Sequence, residues 1–372
     1  MNLKKFSVLI ITGALFVFQL SAQKTDIDSL VSLLNSEKKE KRKIPLLKQI
    51  SGEYFHQKNY TKFRKFADSG LNLSVKKKDY KSELEFMQMF ANFFYINLEF
   101  EKSIQMYNRI FQKSEKYNIT YFRAISYQGL SKNYWKKGLY DRSVYFGTEA
   151  IKMFEAVKDT YNLINTKGNL GTVYIDIGNY DKAEEIYNEL LEYFKKSGNI
   201  YSLANTYEKI GVLKFFKGYY PTARKYYNES YKLYSEINRE LEASIELGNI
   251  GETYEMEKKY HKAIEYYKKA VVTEKKYKYY SGMIFLYQAL GRSYYKLRRY
   301  SEAKQSYYKS LEYINKIGEF RELPNVYKLI YELYAKIGNY KKAYLYSLKA
   351  IEIKDSVSSV EVRTQMNEII VK

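Results

Sequence analysis

The sequence predicts an all-α protein, a superhelical solenoid of eight antiparallel helix pairs. The main observation is a set of aromatic residues that recur at a constant period of 40 without an insertion: Tyr60, Phe100, Tyr140, Tyr180, Tyr220, Tyr260, Tyr300 and Tyr340. Nine residues before each aromatic stands a small residue, except in the last repeat. Only three prolines interrupt 372 residues. A fixed period of this length without linkers is typical of a helical repeat array.

Residues 1–22 are predicted to be a signal peptide. Two lysines within the first five residues precede a mainly apolar run from Phe6 to Leu20. The small residues Ser21 and Ala22 follow this run. This run is shorter than the roughly 20 residues of a membrane-spanning helix, so cleavage after Ala22 is expected. The chain would then be exported, to the periplasm or the cell surface. An uncleaved N-terminal anchor is the alternative.

The remaining chain is predicted to divide into three parts. Residues 23–43 are expected to form an N-terminal capping helix, because Leu30, Leu33 and Leu34 would share one face. Residues 44–356 hold the eight repeats. Residues 357–372 are expected to form a C-terminal helical tail.

Each repeat is predicted to contain two helices joined by a short turn. Apolar and small residues recur at helical spacing, as in Ala263, Tyr267 and Ala270. Several turns contain a glycine that suits the left-handed residue closing a helix: Gly178, Gly218 and Gly338. Residues that favour a helix start follow the turns: Asp141, Asp181, Pro221 and Ser301.

The repeats resemble the tetratricopeptide repeat family. The resemblance is carried by Leu170-Gly171-x-x-Tyr174, Gly178-x-Tyr180, Ala183 and Tyr187, with similar patterns in the sixth and seventh repeats. It covers about residues 44–356 and implies a right-handed superhelix. The family's commonest repeat has about 34 residues, so a period of 40 indicates longer helices. Exported regions of bacterial sensor kinases and regulators are similar, and the input region of a signalling protein is therefore an alternative function.

The resemblance implies that the first helices of the repeats line a concave groove that binds a protein or peptide. The expected groove residues are Gln128, Lys132, Trp135, Lys136, Asn165, Thr172, Asn205, Glu208, Phe215, Phe216, Gln288, Arg292 and Tyr295. Among them Lys132 and Arg292 are expected to meet carboxylates of the partner. Trp135 either anchors the partner, as tryptophan often does, or packs between helices.

The charge favours acidic partners. The chain has 63 Lys and Arg against 42 Asp and Glu, a net charge of +21. Export makes nucleic acid an unexpected partner, whereas an anionic polymer or proximity to a membrane surface is a third alternative. The alternative explanation of the positive charge is structural: many lysines lie near helix C-termini, where a cation interacts favourably with the helix dipole. The oligomeric state is not predicted.

No catalytic, metal-binding or cofactor-binding residue is expected. Cysteine is absent, and the two histidines, His56 and His261, have no local partner for metal or base chemistry. The sequence also contains no glycine-rich phosphate loop. The prediction is therefore a binding scaffold and not an enzyme.

Overall fold

The computed structural model describes residues 27–353, and the predicted signal peptide and the whole of the predicted C-terminal tail lie outside the described residues. The described chain is all-α, as predicted. A short helix, α1 (Ile27–Ser36), comes first. The first helices of the pairs are α2 (Glu40–His56), α4 (Tyr80–Ile96), α6 (Thr120–Lys136), α8 (Thr160–Asp176), α10 (Ile200–Phe216), α12 (Glu240–Met256), α14 (Tyr280–Lys296) and α16 (Leu323–Lys336).

The second helices begin at the periodic aromatic residues. They are α3 (Tyr60–Lys77), α5 (Phe100–Lys116), α7 (Tyr140–Ala156), α9 (Tyr180–Ser197), α11 (Tyr220–Glu236), α13 (Tyr260–Lys276) and α15 (Tyr300–Ile317), followed by α17 over residues 340–353. The first helices from α2 to α14 have 17 residues, as α4 does, and the second helices from α3 to α15 have 17, as α5 does, or 18, as α3 does. The longer period therefore lengthens both helices of a pair, as predicted. A 3-10 turn, Phe320–Glu322, precedes α16.

The helix connections share one backbone conformation, which occurs twice within each repeat of the sequence. A residue with positive φ lies in every connection from Lys58 to Gly338, once in each half of a repeat. The predicted left-handed glycines are confirmed, with φ of 79° at Gly178 and 81° at Gly218. Nine of these positions hold other residues, including Leu98 with φ of 62°. The backbone therefore uses one turn geometry throughout, with or without glycine.

The predicted start signals lie within the second helices. Asp141 and Asp181 are in the first turn of α7 and α9, where a carboxylate favours the positive end of the helix dipole. Side-chain caps precede helices of both kinds: the side-chain oxygens of Asp79 and Asp159 before first helices, and of Asn59 before the second helix α3, accept hydrogen bonds from the backbone N–H groups three residues later. They satisfy donors that the helix leaves unpaired.

The described residues form two compact units, one ending at Ile186 and one beginning at Tyr187. In the N-terminal unit, α1 packs on α2. The core there is rich in phenylalanine: Phe63 is fully buried, and its ring lies 5.6 Å from that of Phe90. Further along, Phe122 and Phe154 fill the core between the later pairs.

In the C-terminal unit the core alternates tyrosine with small residues. Tyr267 and Tyr307 belong to one cluster with Ala263, Ala303 and Ile330. Each of these tyrosines lies against a glycine of the preceding first helix, because the absence of a side chain lets the ring reach the backbone. This contact gives a physical reason for the small residue nine positions before the periodic aromatic.

Candidate functional site

Neighbouring first helices lie side by side within each unit, and polar side chains link them. Between α2 and α4 the Lys48 Nζ atom is 2.6 Å from Glu85 Oε2. Between α14 and α16 the Asn325 amide donates a 2.6 Å hydrogen bond to Gln288 Oε1. We call the surface of α4, α6 and α8 in the N-terminal unit, and that of α10, α12 and α14 in the C-terminal unit, the first-helix face of that unit.

In the N-terminal unit two of the predicted groove residues join α6 to α8. The Gln128 amide donates to Thr166 Oγ1 at 2.8 Å. The Trp135 indole donates to Asp176 Oδ2 at 2.6 Å. Both side chains are buried, with 8% of their surface exposed. Trp135 therefore packs between helices, the second of its two predicted roles.

The other predicted groove residues of this unit differ in their burial and in their contacts. Lys136 is exposed, and its Nζ atom lies 4.1 Å from the centroid of the Trp135 ring, a cation–π contact. Lys132 and Asn165 are partly buried. Thr172 is buried, and its hydroxyl donates to the Gly168 carbonyl.

In the C-terminal unit the predicted residues of α10 form a short polar chain. The Asn205 amide donates to Glu208 Oε2 at 3.4 Å, and Lys209 Nζ is 2.7 Å from the other oxygen of Glu208. Phe215 is buried and Phe216 is partly buried. The charges of Glu208 and Lys209 therefore neutralise each other.

Arg292 is already paired with a carboxylate of this chain, which corrects the prediction that it meets a carboxylate of the partner. Its guanidinium makes two hydrogen bonds to the carboxylate of Glu255, at 2.9 and 3.1 Å. The Tyr267 hydroxyl donates to the same carboxylate at 2.7 Å, so α12, α13 and α14 are tied together. Of the other two predicted groove residues of α14, Gln288 is buried and Tyr295 is partly buried.

Three buried glutamates of the C-terminal unit were not predicted. Glu246 is fully buried, and burial raises its pKa well above the ordinary value. Burial raises the pKa of Glu252 to about 7, although Arg292 opposes this shift. Burial also raises the pKa of Glu274 to about 8, and its Oε2 atom has no hydrogen-bond partner. These carboxyl groups hold protons far more readily than surface glutamates do.

The sequence did contain a signal for the missed partners. Three of the links between first helices join residues 37 positions apart: Lys48 with Glu85, Glu255 with Arg292, and Gln288 with Asn325. This spacing is close to one repeat, because equivalent turns of neighbouring first helices lie side by side. A search for complementary polar residues at this spacing would have found Glu255.

Among the described residues the two histidines are not part of a metal-binding cluster. His56 ends α2 and His261 lies in the first turn of α13, and both are exposed. Within residues 27–353 no group of three or more His, Asp or Glu side chains is placed to hold a metal ion.

The fold and the first-helix faces define a helical repeat protein made of stacked helix pairs. Residues 162–236, 202–273 and 241–316 each match the model of the tetratricopeptide repeat family. Residues 162–316 are therefore tetratricopeptide repeats. No curated protein matches its sequence at a significant level.

Solved structures with the same fold include bacterial regulators. The apo quorum sensor NprR from B. thuringiensis has a TM-score of 0.65 and 17% identity, over 88% of this chain and 92% of that one. A Rap conjugation gene regulator in complex with the Phr peptide has a TM-score of 0.56 and 16% identity, over 90% and 95% of the two chains. Aspartyl phosphate phosphatase F from Bacillus subtilis has a TM-score of 0.57 and 16% identity, over 88% and 92%. These likenesses establish the fold, and function has to be argued from residues.

Proposed function

We propose that this chain is an exported scaffold that binds a protein or peptide along its first-helix face. The observation that carries the proposal is that this face keeps polar and aromatic side chains partly accessible after the links between helices are made. Lys132, Asn165, Asn205 and Tyr295 are all of this kind. Such a mixture of amide, cationic and aromatic groups suits the backbone and side chains of an extended peptide.

The fold supports the same proposal. One of the structures that shares it is described in complex with a peptide, and another as a quorum sensor. Stacked helix pairs present an extended surface on which each repeat adds a few contacts. A long segment can thus be held by many weak contacts.

Export is part of the proposal and depends on the sequence of residues 1–22, a basic start followed by a short apolar run. Among the helices of residues 27–353 none is both long and apolar enough to cross a membrane. The expected mature chain begins at Gln23. Intact-mass measurement of the exported protein tests this, and retention of residues 1–22 would contradict cleavage.

The proposal assigns no chemical step to the chain. Its polar clusters are ion pairs and hydrogen bonds between helices, as for Arg292 with Glu255. Both histidines are exposed and lie at helix ends. A hydrolytic activity that is lost in His56→Ala or His261→Ala would contradict this assignment.

Site-specific photo-crosslinking in cells tests the binding face. A benzoylphenylalanine placed at Asn165, which is partly buried on α8, should give discrete adducts with a partner. The matched control is the same residue at Tyr145 on α7, whose side chain is 58% exposed on a second helix. Adducts that are equally abundant from both positions, or absent from position 165, would contradict the proposal.

A further inference from the structure

A surface depression of about 410 Å³ lies between α6 and α7 of the N-terminal unit. It is lined by Tyr134 of α6 and by Asp141, Arg142, Tyr145 and Phe146 of α7. Its volume is within the range of about 300–1,000 Å³ that is usual for small-molecule sites. None of these residues was predicted to line the groove, so the depression is distinct from the predicted peptide site.

Aromatic rings form the apolar part of the depression. Tyr134 and Phe146 stack with their ring centroids 5.4 Å apart and with an angle of 10° between the ring planes. The Tyr145 ring contacts Phe146 in an edge-to-face arrangement at 5.1 Å, while 58% of the Tyr145 side chain is exposed. Because packing against Phe146 already restricts this ring, little further conformational entropy is lost when a ligand covers it. The depression therefore offers a preorganised apolar surface.

Polar groups without partners stand beside these rings. Among residues 27–353 the carboxylate of Asp141 and the hydroxyl of Tyr145 make no hydrogen bond or ion pair. The Arg142 guanidinium lies over the Tyr134 ring, with its Cζ atom 5.3 Å from the ring centroid. Asp141 and Tyr145 are one helical turn apart, so the carboxylate and the exposed ring share a face of α7. The depression thus combines an acceptor, donors and an apolar ring, and its two opposite charges cancel.

The third repeat differs from its neighbours in these residues. The place of the exposed Tyr145 is taken in the other repeats of the N-terminal unit by Lys65, Gln105 and Glu185. The place of Asp141 is taken by Thr61, Glu101 and Asp181, and Glu101 is already paired with Lys137. Since a lysine, a glutamine or a glutamate fits the same place of the repeat, packing of the solenoid does not require a tyrosine there.

We propose that this depression is a binding site for a neutral saccharide, with one pyranose ring on Tyr145 and its hydroxyl groups between Asp141 and Arg142. One side of a pyranose ring carries mainly C–H groups, which pack on an aromatic ring, and its rim carries hydroxyl groups that both donate and accept hydrogen bonds. The Asp141 carboxylate would accept from these hydroxyl groups and the Arg142 guanidinium would donate to them, as charge-assisted hydrogen bonds. This second site does not rest on the binding function proposed for the first-helix face.

The charges of the depression favour a neutral ligand. A carboxylate or sulfate group on the ligand would lie near Asp141, and an ammonium group would lie near Arg142, so an ionic ligand is attracted by one side chain and repelled by the other. A polyol uses both side chains. An extended peptide is held by contacts spread over several repeats, whereas the lining residues of this depression belong to a single helix pair.

Binding to a glycan microarray, followed by calorimetry, tests the proposal. The array presents neutral oligosaccharides of hexoses, pentoses and N-acetylhexosamines beside sulfated and uronic-acid oligosaccharides, and it is screened with the full mature chain. We expect binding to at least one neutral oligosaccharide, with an affinity that does not change between low and high salt, because no ionic ligand is screened. Tyr145→Ala and Asp141→Ala should each weaken this binding about tenfold, the size of one lost stacking or charge-assisted contact.

Tyr193→Ala is the matched control. Tyr193 lies on the second helix α9, 41% of its side chain is exposed, and its ring contacts Phe194 edge to face at 5.2 Å, as the ring of Tyr145 contacts Phe146. It does not line the depression, so its removal should leave the affinity within about twofold. Circular dichroism verifies that all three variants are folded, as expected for substitutions of exposed side chains.

Several results would overturn the saccharide site. The absence of binding to any neutral oligosaccharide would do so, as would an equal loss of affinity in Tyr193→Ala and Tyr145→Ala. Binding confined to sulfated or uronic-acid oligosaccharides that falls steeply with salt would indicate attraction by the net charge of +21 instead. Discrete protein adducts from benzoylphenylalanine at position 145 would assign the depression to a protein partner. The crosslinking result at position 165 has no bearing on these outcomes, so the two sites are tested independently.

Discussion

The ring of Tyr307 lies so close to the backbone of Gly291 that a Cβ atom on the glycine would stand 2.2 Å from Tyr307 Cε1. The glycine is in the first helix α14 and the tyrosine in the second helix α15. Gly251 with Tyr267 and Gly211 with Tyr227 repeat the same contact. The small residue of the repeat therefore admits a ring that fills the space between the two helices of a pair.

Gly291→Ala should destabilise the protein, although alanine ordinarily favours a helix over glycine by about 1 kcal/mol. The added methyl group has to displace a fully packed ring, at a cost of about 1–3 kcal/mol beyond that gain. The urea midpoint followed by circular dichroism measures the change. Gly52→Ala is the control: nothing lies within 4 Å of its Cβ position in α2, so this substitution should raise stability.

Leu98→Gly should stabilise the N-terminal unit. Leu98 has φ of 62° and a side chain that is 50% exposed, so glycine removes backbone strain and loses little packing. We expect a gain of about 1 kcal/mol. Unfolding followed by the fluorescence of Trp135, which lies in the same unit, measures it. Gly178→Ala, at φ of 79°, should do the opposite, and a loss of stability in Leu98→Gly would contradict the argument.

Arg292 and Glu255 should be strongly coupled. Only 16% of the arginine side chain and 9% of the glutamate side chain are exposed, so removing one partner leaves the other charge poorly solvated. A double-mutant cycle with methionine at both positions should give a coupling free energy of about 2 kcal/mol. The exposed pair Arg299 and Glu302, with 46% and 37% exposure, should give a much smaller coupling free energy, because water screens both charges. Equal coupling in both cycles would show that burial does not matter here.

Glu274 should make the C-terminal unit less stable as the pH rises. Burial raises the pKa of its carboxyl to about 8 in the folded protein, whereas an unfolded glutamate titrates near about 4.3. Between these values the folded state holds a proton that the unfolded state has released. Stability from this group is therefore complete below about pH 4 and is lost as the pH rises through about 8.

Glu274→Gln keeps the side chain neutral and removes this dependence. We expect the variant and the parent to unfold at similar urea concentrations at pH 4, and the variant to be more stable at pH 9 by a few kcal/mol, at roughly 1.4 kcal/mol for each unit of pKa shift. Glu265→Gln is the control, because hydrogen bonding to Lys269 lowers the pKa of that exposed carboxyl. It should show no gain at pH 9, and a similar gain in both variants would contradict the role of burial.

The sequence by itself determined the architecture. The unbroken period of the aromatic residues, the small residue nine positions earlier and the glycine turns predicted helix pairs, because apolar periodicity and turn chemistry are local properties of the chain. The one local feature that the sequence did not predict is the second turn of each repeat, between its second helix and the first helix of the next repeat. At positions such as Lys78 and Lys158 the left-handed residue of this turn is not glycine, so no single residue type marks it.

Only the tertiary structure decided which predicted groove residues have partners. Lys132 and Arg292 occupy the same place in their repeats, and the sequence predicted the same role for both. The neighbouring first helix supplies Glu255 to Arg292, whereas no carboxylate reaches Lys132 within the described residues. Charge neutralisation depends on side chains brought together across helices about one repeat apart, and a single helix's pattern does not contain that information.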